Sequence, residues 1–429
     1  MKEYKNTAKE MLEFIRKSPS CFHAIASVKE MLAEKGMTEL CETEDWTLQA
    51  GKGYFVTRND SSVIAFRLPE AIAGVKGFHL IASHSDSPSF KIKEHPENTV
   101  ENHYVKINVE GYGGMILSSW LDRPLSVAGR IVVRTKDGVE TKLVNVDKDL
   151  LMIPNVAIHM NREINKGFNY NPQVDMQPLF AEVVDGKAPS LMKVIAKSAG
   201  VKKDDILGHD LFLYAREKGR FFGAEGEFVF SPRLDDLQCA YASAKAFAEA
   251  VPAEYINVCA VFDNEEVGSS TKQGADSTFL EDTLRRVAES LGMTGSQYLR
   301  LVAGSFLISA DNAHAVHPNH PEKADPTNRP YLNKGIVIKY HGSQKYTTDA
   351  VSAAKMKTIC EKAKVPFQTF VNRADLVGGS TLGNISTAHV SVSSVDIGLP
   401  QLSMHSAVET AGMMDTGYAI DAFTVYYAE

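Results

Sequence analysis

The sequence predicts an α/β protein with a mostly parallel central sheet, interrupted by an inserted β-rich segment. From about residue 232 onward, short apolar runs alternate with amphipathic or Ala-rich helical patterns. That alternation marks parallel strands joined by crossover helices that cover both faces of a sheet. Between about 93 and 230 the texture changes to alternating and β-branched runs separated by turn residues, as in antiparallel structure. Before residue 93 the helix-and-strand texture is present as well, so the α/β domain is discontinuous. The expected divisions are 1–92, 93–230 and 231–429.

The first 35 residues read as two helices, with Met11, Leu12 and Ile15 on one side of the first and a break around Ser18-Pro19-Ser20-Cys21-Phe22. Strand patterns follow at 53–57, 62–68 and 78–83. In the middle segment, 104–109, 129–135, 141–146 and 220–230 carry alternation or β-branched residues. Beyond it, 236–250 reads as an Ala-rich helix, 256–262 as a buried strand and 278–291 as a charged amphipathic helix. Then come a strand at 306–310, a helix at 351–364, and strands at 367–371 and 390–397. There is no internal repeat.

Composition excludes several function classes. A chain of 429 residues with 44% apolar content can bury the cores of two or three domains. The net charge of −7, with both signs interspersed, argues against nucleic acid and anionic membrane as partners. The longest apolar runs, such as 77–82, are too short to span a bilayer, and the first 15 residues lack the apolar core of a signal peptide. Five widely spaced cysteines (Cys21, Cys41, Cys239, Cys259, Cys360) with no CxxC pair suit reduced thiols in a cytoplasmic protein.

Chemistry concentrates in five short segments: His84-Ser85-Asp86, Asp235-Asp236, Asp263-Asn264-Glu265-Glu266, Asp311 and His405. Imidazoles and carboxylates without thiolates suit two zinc-like ions bridged by one carboxylate, with another carboxylate left as general base. Such centres hydrolyse amide bonds. His84, Glu265 and Asp311 each follow an apolar strand, and open α/β sheets gather ligands outside the carboxyl ends of their strands. Asp86 is placed to hold the second ring nitrogen of a metal-bound His84, although a turn Asp caps backbone N–H groups equally well. Asp235 or Asp236 could bridge two cations or cap the helix that follows. Adjacent Glu265 and Glu266 are costly near a buried strand unless metal or solvent compensates them. A turn there would let one bind metal while the other reaches a water. His405 supplies the second imidazole, and His314 and His317 suit hydrogen bonds to ligand carboxylates. His79, inside an apolar strand, reads as a satisfied core residue. The Gly378–Gly383 run is either a tight turn or a lining of the substrate pocket through Gly379 and Ser380.

Together with Ser18–Ala24, Ser87-Pro88, Trp120-Leu121-Asp122-Arg123-Pro124, Ala128-Gly129-Arg130, the 153–159 run ending in His159, Ser231–Asp235, the 311–318 run and Ser403-Met404-His405-Ser406, these motifs resemble the aspartyl aminopeptidase family of zinc metallopeptidases along nearly the whole chain. The resemblance implies a discontinuous α/β/α metallopeptidase domain carrying an inserted β-rich dimerisation domain. It implies two zinc ions, although cobalt or manganese would also suit these ligands. Asp235 would bridge them, with His84 and Asp311 completing one sphere and Glu266 and His405 the other. Glu265 would be the base, Asp86 would orient His84, and His159 would reach a neighbouring subunit's site to hydrogen-bond the oxyanion. Dimers would assemble into a tetrahedral dodecamer acting on peptides with a free N-terminus, and the peptide bond after Asp235 would be cis. Two departures matter. Asp236 stands where the family usually has Asn. Ser343 stands where animal members carry a Lys that selects acidic side chains, with Lys345 keeping a positive charge nearby, so acidic preference does not follow. The rival expectations are a two-metal deacylase or carboxypeptidase of the same clan, and an inactive shell or cargo-binding relative.

Overall fold

The computed structural model describes residues 2–376, 378–379 and 381–429. Among these residues the chain forms three sheets, of nine, six and five strands. The nine-stranded sheet runs in the order Thr38–Leu40, Gly53–Arg58, Ser62–Arg67, Ile256–Phe262, Phe78–His84, Phe306–Ala310, Ser393–Gly398, Ile336–Tyr340, Phe367–Val371. Its middle four strands are mutually parallel. Antiparallel neighbours flank them on both sides.

Those middle strands are buried almost throughout and mostly apolar because both faces are covered. Ile81, Val261 and Ile308 pack under Leu237, Ala240 and Phe247 of helix Leu234–Glu249 and under Phe423 and Tyr427 of helix Asp415–Ala428. Their sequence neighbours Leu80, Ala260 and Leu307 point the other way, against Phe279, Leu284 and Val287 of helix Phe279–Ser290. Each such aliphatic or aromatic side chain contributes roughly 1.5–3 kcal/mol by leaving water, so the strand ends are rigidly held. No helix among the described residues is long and apolar enough to cross a membrane.

The chain divides into two units: Met1–Asp86 with Gly219–Met404 and Glu409–Glu429, and Ser87–Lys218 with His405–Val408. The transitions fall at 86/87 and 218/219, whereas the sequence suggested 92/93 and 230/231. Strand Ser89–Val100 starts directly after the Asp86 turn and belongs to the second unit's sheet. Conversely, the 220–230 run, expected in the insertion, forms strands Arg220–Phe222 and Phe228–Ser231. These pair with Glu409–Gly412 in the five-stranded sheet of the first unit.

The second unit is a six-stranded antiparallel sheet, ordered Gly138–Asn145, Leu125–Thr135, Ile206–Ala215, Ser89–Val100, Tyr104–Tyr112, Leu179–Glu182. Its core gathers Phe90, Ile107, Trp120, Leu125, Ile131 and Leu211. Gly129 is obligatory there: a Cβ at this position would lie 2.0 Å from the Asp210 carbonyl oxygen. Met152, Val156, Ile158, Met160 and Val174 of this unit are exposed.

Candidate metal centre

The parallel strands bring their carboxyl ends to one edge. His84 is the last residue of the central strand, Asp311 follows Phe306–Ala310, and Glu265 and Glu266 lie in a short 3-10 turn after Ile256–Phe262. Asp235 joins them from the first turn of helix Leu234–Glu249, where the Asp235–Asp236 peptide bond is cis. His84 Nε2 lies 3.6 Å from Asp235 Oδ1 and 3.9 Å from Asp311 Oδ1. Donor atoms of His84, Asp235, Asp236 and Asp311 all fall within 4.8 Å of one another, and so do those of His84, Glu265 and Glu266.

Two aspartates tie this edge together. Asp86 Oδ1 sits 3.3 Å from His84 Nδ1, and the Asp86 oxygens accept the backbone N–H groups of Glu265 and Glu266, each at 3.1 Å. The same carboxylate therefore faces the imidazole and fixes the acidic turn. Asp236 accepts the backbone N–H of His84 and that of Asn312, each at 3.2 Å, so the residue standing in place of the family's Asn braces both strand ends. Glu409 accepts the Asp235 N–H at 3.0 Å.

Crowding and burial set the electrostatics. Burial pushes the Glu265 carboxyl up to about 8 and that of Asp263 up to about 7, with neighbouring carboxylates adding to both. Burial likewise raises Glu266 and Asp236 well above the usual carboxylate range. It raises Asp311 too, against the opposing pull of Lys339, whose Nζ is 3.6 Å from Asp311 Oδ2. At His84 burial opposes protonation, but Asp235 and Asp86 outweigh it and raise the imidazole well above its ordinary value. Cys239, beside the cluster, is a neutral thiol held up by burial that donates to Asn312 Oδ1 at 3.1 Å. Buried anions in excess over His84 and Lys339 are costly unless cations join them. Their oxygen and nitrogen donors fit divalent zinc.

The other sequence-derived candidates are placed as follows. His405 is half-buried in the 405–408 segment, and its Nδ1 lies 2.6 Å from the Gly114 carbonyl oxygen; metal ligation by this residue would fall to Nε2. His159 lies on an exposed turn of the second unit. Lys345 donates from Nζ to the Gly378 carbonyl at 2.8 Å, next to Gly379 in sequence. A Cβ at Gly379 would meet nothing within 4 Å, while Ser380 lies outside the described residues. Among the described residues the grouped donors do not include His314 or His317. His314 packs near Phe370, and His317 Nδ1 accepts from the Asn319 N–H. His79 is buried, stacked on Tyr255 and tilted against Tyr426, but its Nδ1 finds no hydrogen-bond partner among the described residues, so it is a core residue not fully satisfied. Sequence reasoning missed Lys339, although a lysine inside Ile336-Val337-Ile338-Lys339-Tyr340 interrupts an apolar run and was a usable signal. Glu409 and Asn312 gave none.

Comparison with known proteins narrows the chemistry. Residues 14–427 match the family described as aminopeptidase I zinc metalloprotease (M18). The chain is 48% identical over 431 residues to a probable M18 family aminopeptidase 2 of Clostridium novyi (strain NT), covering 100% of both. It is 39% identical over 423 residues to one of Pseudomonas aeruginosa (strain UCBPP-PA14), covering 97% of each. Among solved structures it is similar to a chain in the cryo-EM structure of the Ape4 and Nbr1 complex. There the TM-score is 0.96 at 36% identity, over 99% of this chain and 86% of that one. It is also similar to the S. cerevisiae mApe1 dodecamer subunit, with TM-score 0.87 at 26% identity, over 99% and 97% of the two chains.

Proposed function

The chain belongs to the M18 family of zinc metalloproteases and is an aminopeptidase, and from that premise we propose how its own residues do the work. Two zinc ions would be held by His84, Asp235, Glu266, Asp311 and His405, with Asp235 shared, His84 and Asp311 on one side, and Glu266 and His405 on the other. The convergence of His84, Asp235, Glu266 and Asp311 donors at one sheet edge carries this reading. Bound zinc supplies polarisation of the scissile carbonyl and a more acidic water.

Glu265 takes the proton of the attacking water and returns it to the leaving amine. Burial and neighbouring carboxylates hold its carboxyl above the usual range; bound zinc would draw it back down, toward the charged form that takes a proton from water. Asp86 holds His84 by the ring and Glu265 by its backbone, so base and ligand keep a fixed separation. His159 of a second copy would hydrogen-bond the developing oxyanion. Its exposure on a turn supports that role, and the dodecameric state in which mApe1 was solved supports homo-oligomers here, with dimers assembling into a tetrahedral dodecamer. Lys345, Gly379 and Ser380 would line the pocket for the N-terminal side chain, and acidic preference is not assumed. A cytoplasmic location belongs to the same proposal, supported by five free cysteines.

The test is to strip the metal and add back zinc, cobalt or manganese while following paired substrates with free and N-acetylated amines. Metal-dependent cleavage confined to free-amine substrates is expected. Cleavage of the acetylated partner would move the chain to the deacylases, and no cleavage under any metal to the inactive relatives.

A further inference from the structure

We propose that Asp122 is a positioning residue that fixes His159 for catalysis, an inference that rests on the oxyanion role given to His159 above. The motif containing Asp122 has no task in the mechanism so far. In the second unit, Asp122 adopts a left-handed backbone conformation (φ 54°), which Asp tolerates better than most side chains. This turn aims three groups of one residue at a single short segment. The Asp122 N–H donates to the Ile153 carbonyl at 2.9 Å. Its Oδ1 accepts the Asn155 N–H at 2.8 Å, and its Oδ2 accepts Asn155 Nδ2 at 2.7 Å.

The grip is anchored from behind. Leu121 forms an isolated bridge with Ile153, and both are buried. Arg123, the next residue, pairs with Glu217, two residues past strand Ile206–Ala215. Beyond Asn155 the chain leaves the core: 154–160 is exposed, and a turn closed by the Met160 N–H onto the Ala157 carbonyl at 2.8 Å presents His159. Exposed backbone with few buried contacts opens easily, whereas a catalytic donor must stay within about 0.5 Å of its working position. Asp122 therefore sets the stem from which His159 reaches out, and the two motifs form one device.

The test uses the full-length, zinc-loaded, assembled protein. Asp122→Ala, His159→Ala and the double variant are compared by steady-state kinetics on a free-amine aminoacyl substrate, by oligomer mass, and by hydrogen exchange over residues 153–161. Asp122→Ala is expected to lower kcat about 10- to 100-fold, with KM within about threefold and oligomer mass unchanged. Exchange should rise in 153–161, and kcat should fall no further when Asp122→Ala is added to His159→Ala. The reciprocal pair D122N/N155D, which preserves both hydrogen bonds to residue 155, should restore most of kcat. Should Asp122→Ala fail to assemble, Asn155→Asp with and without Asp122→Asn carries the same comparison, since two facing carboxylates have no proton to share. Equal fold losses of kcat on the wild-type and His159→Ala backgrounds would overturn the proposal. An intact kcat in Asp122→Ala beside an impaired His159→Ala would overturn it while sparing the oxyanion role. Full kcat in His159→Ala would refute that role first, and the positioning proposal with it.

Discussion

Replacing Asp86 by Ala tests the centre most severely, because one buried carboxylate contacts three of its parts. The change leaves the N–H groups of Glu265 and Glu266 without their acceptor, and His84 Nδ1 without the oxygen 3.3 Å away. An unsatisfied buried donor costs about 1–3 kcal/mol. Two of them, partly relieved by water entering the vacated space, put the stability loss at roughly 2–4 kcal/mol. Losing every partner that orients a ligating His costs about 10- to 100-fold in metal affinity; His84 Nδ1 keeps the Asp86 main-chain oxygen at 3.1 Å, so the loss falls at the lower end, about 10-fold. Competition against a chromophoric chelator measures the second quantity, and denaturation of the metal-free protein measures the first. Asp86→Asn separates charge from geometry: it keeps one acceptor, so it should recover part of the stability but little of the zinc affinity. If Asp86→Ala binds zinc within threefold of wild type and denatures at the same midpoint, Asp86 does not organise the site.

Glu265→Gln should cut kcat by about 10²–10⁴ with zinc content unchanged; a variant retaining more than a tenth of wild-type kcat removes Glu265 from the base role. Chelation should lower the melting temperature and added zinc restore it, because each site filled at about 1,000 times its Kd adds roughly 4 kcal/mol. Unchanged melting after verified loss of metal would mean these carboxylates do not form the site. Burial holds His79 at about 3, below its ordinary 6.5. The unfolded chain thus binds an extra proton below 6.5, and the associated stability, complete above that pH, is lost as pH falls toward 3. Between pH 7.5 and 5 this amounts to about 2 kcal/mol. His79→Phe, which can remain between Tyr255 and Tyr426, should lose that much less over the same interval, and an identical acid limb in both proteins would refute the assignment.

What was legible in the sequence follows from how local each signal is. Strands Phe78–His84, Ile256–Phe262 and Phe306–Ala310 are buried and mostly apolar on both faces, so their runs and the charged residues after them stand out, and with them His84, Glu265 and Asp311. The 220–230 run was misplaced because its partner, Glu409–Gly412, lies far along the chain and leaves no local mark. Helix Asp415–Ala428 was not foreseen: Ala419, Ala422, Phe423, Tyr426 and Tyr427 are buried on several sides, so it lacks the polar stripe that betrays a surface helix. The brace made by Asp236 depends on two backbone N–H groups, which no side-chain pattern encodes.

The strand order also governs when in the protein's life its chemistry can begin. Phe78–His84 leaves the ribosome early, yet both of its neighbours, Ile256–Phe262 and Phe306–Ala310, are synthesised only after all of 87–218. Pairing across such spans is slow, since a long loop must close before any contact rewards it. A nascent chain therefore carries His84 without Asp235, Glu266, Asp311 or His405, the other residues proposed to hold zinc. A product truncated before residue 311 would stay inert. On that ligand set, peptide cutting waits until the chain has been made through residue 405 and its distant strands have paired.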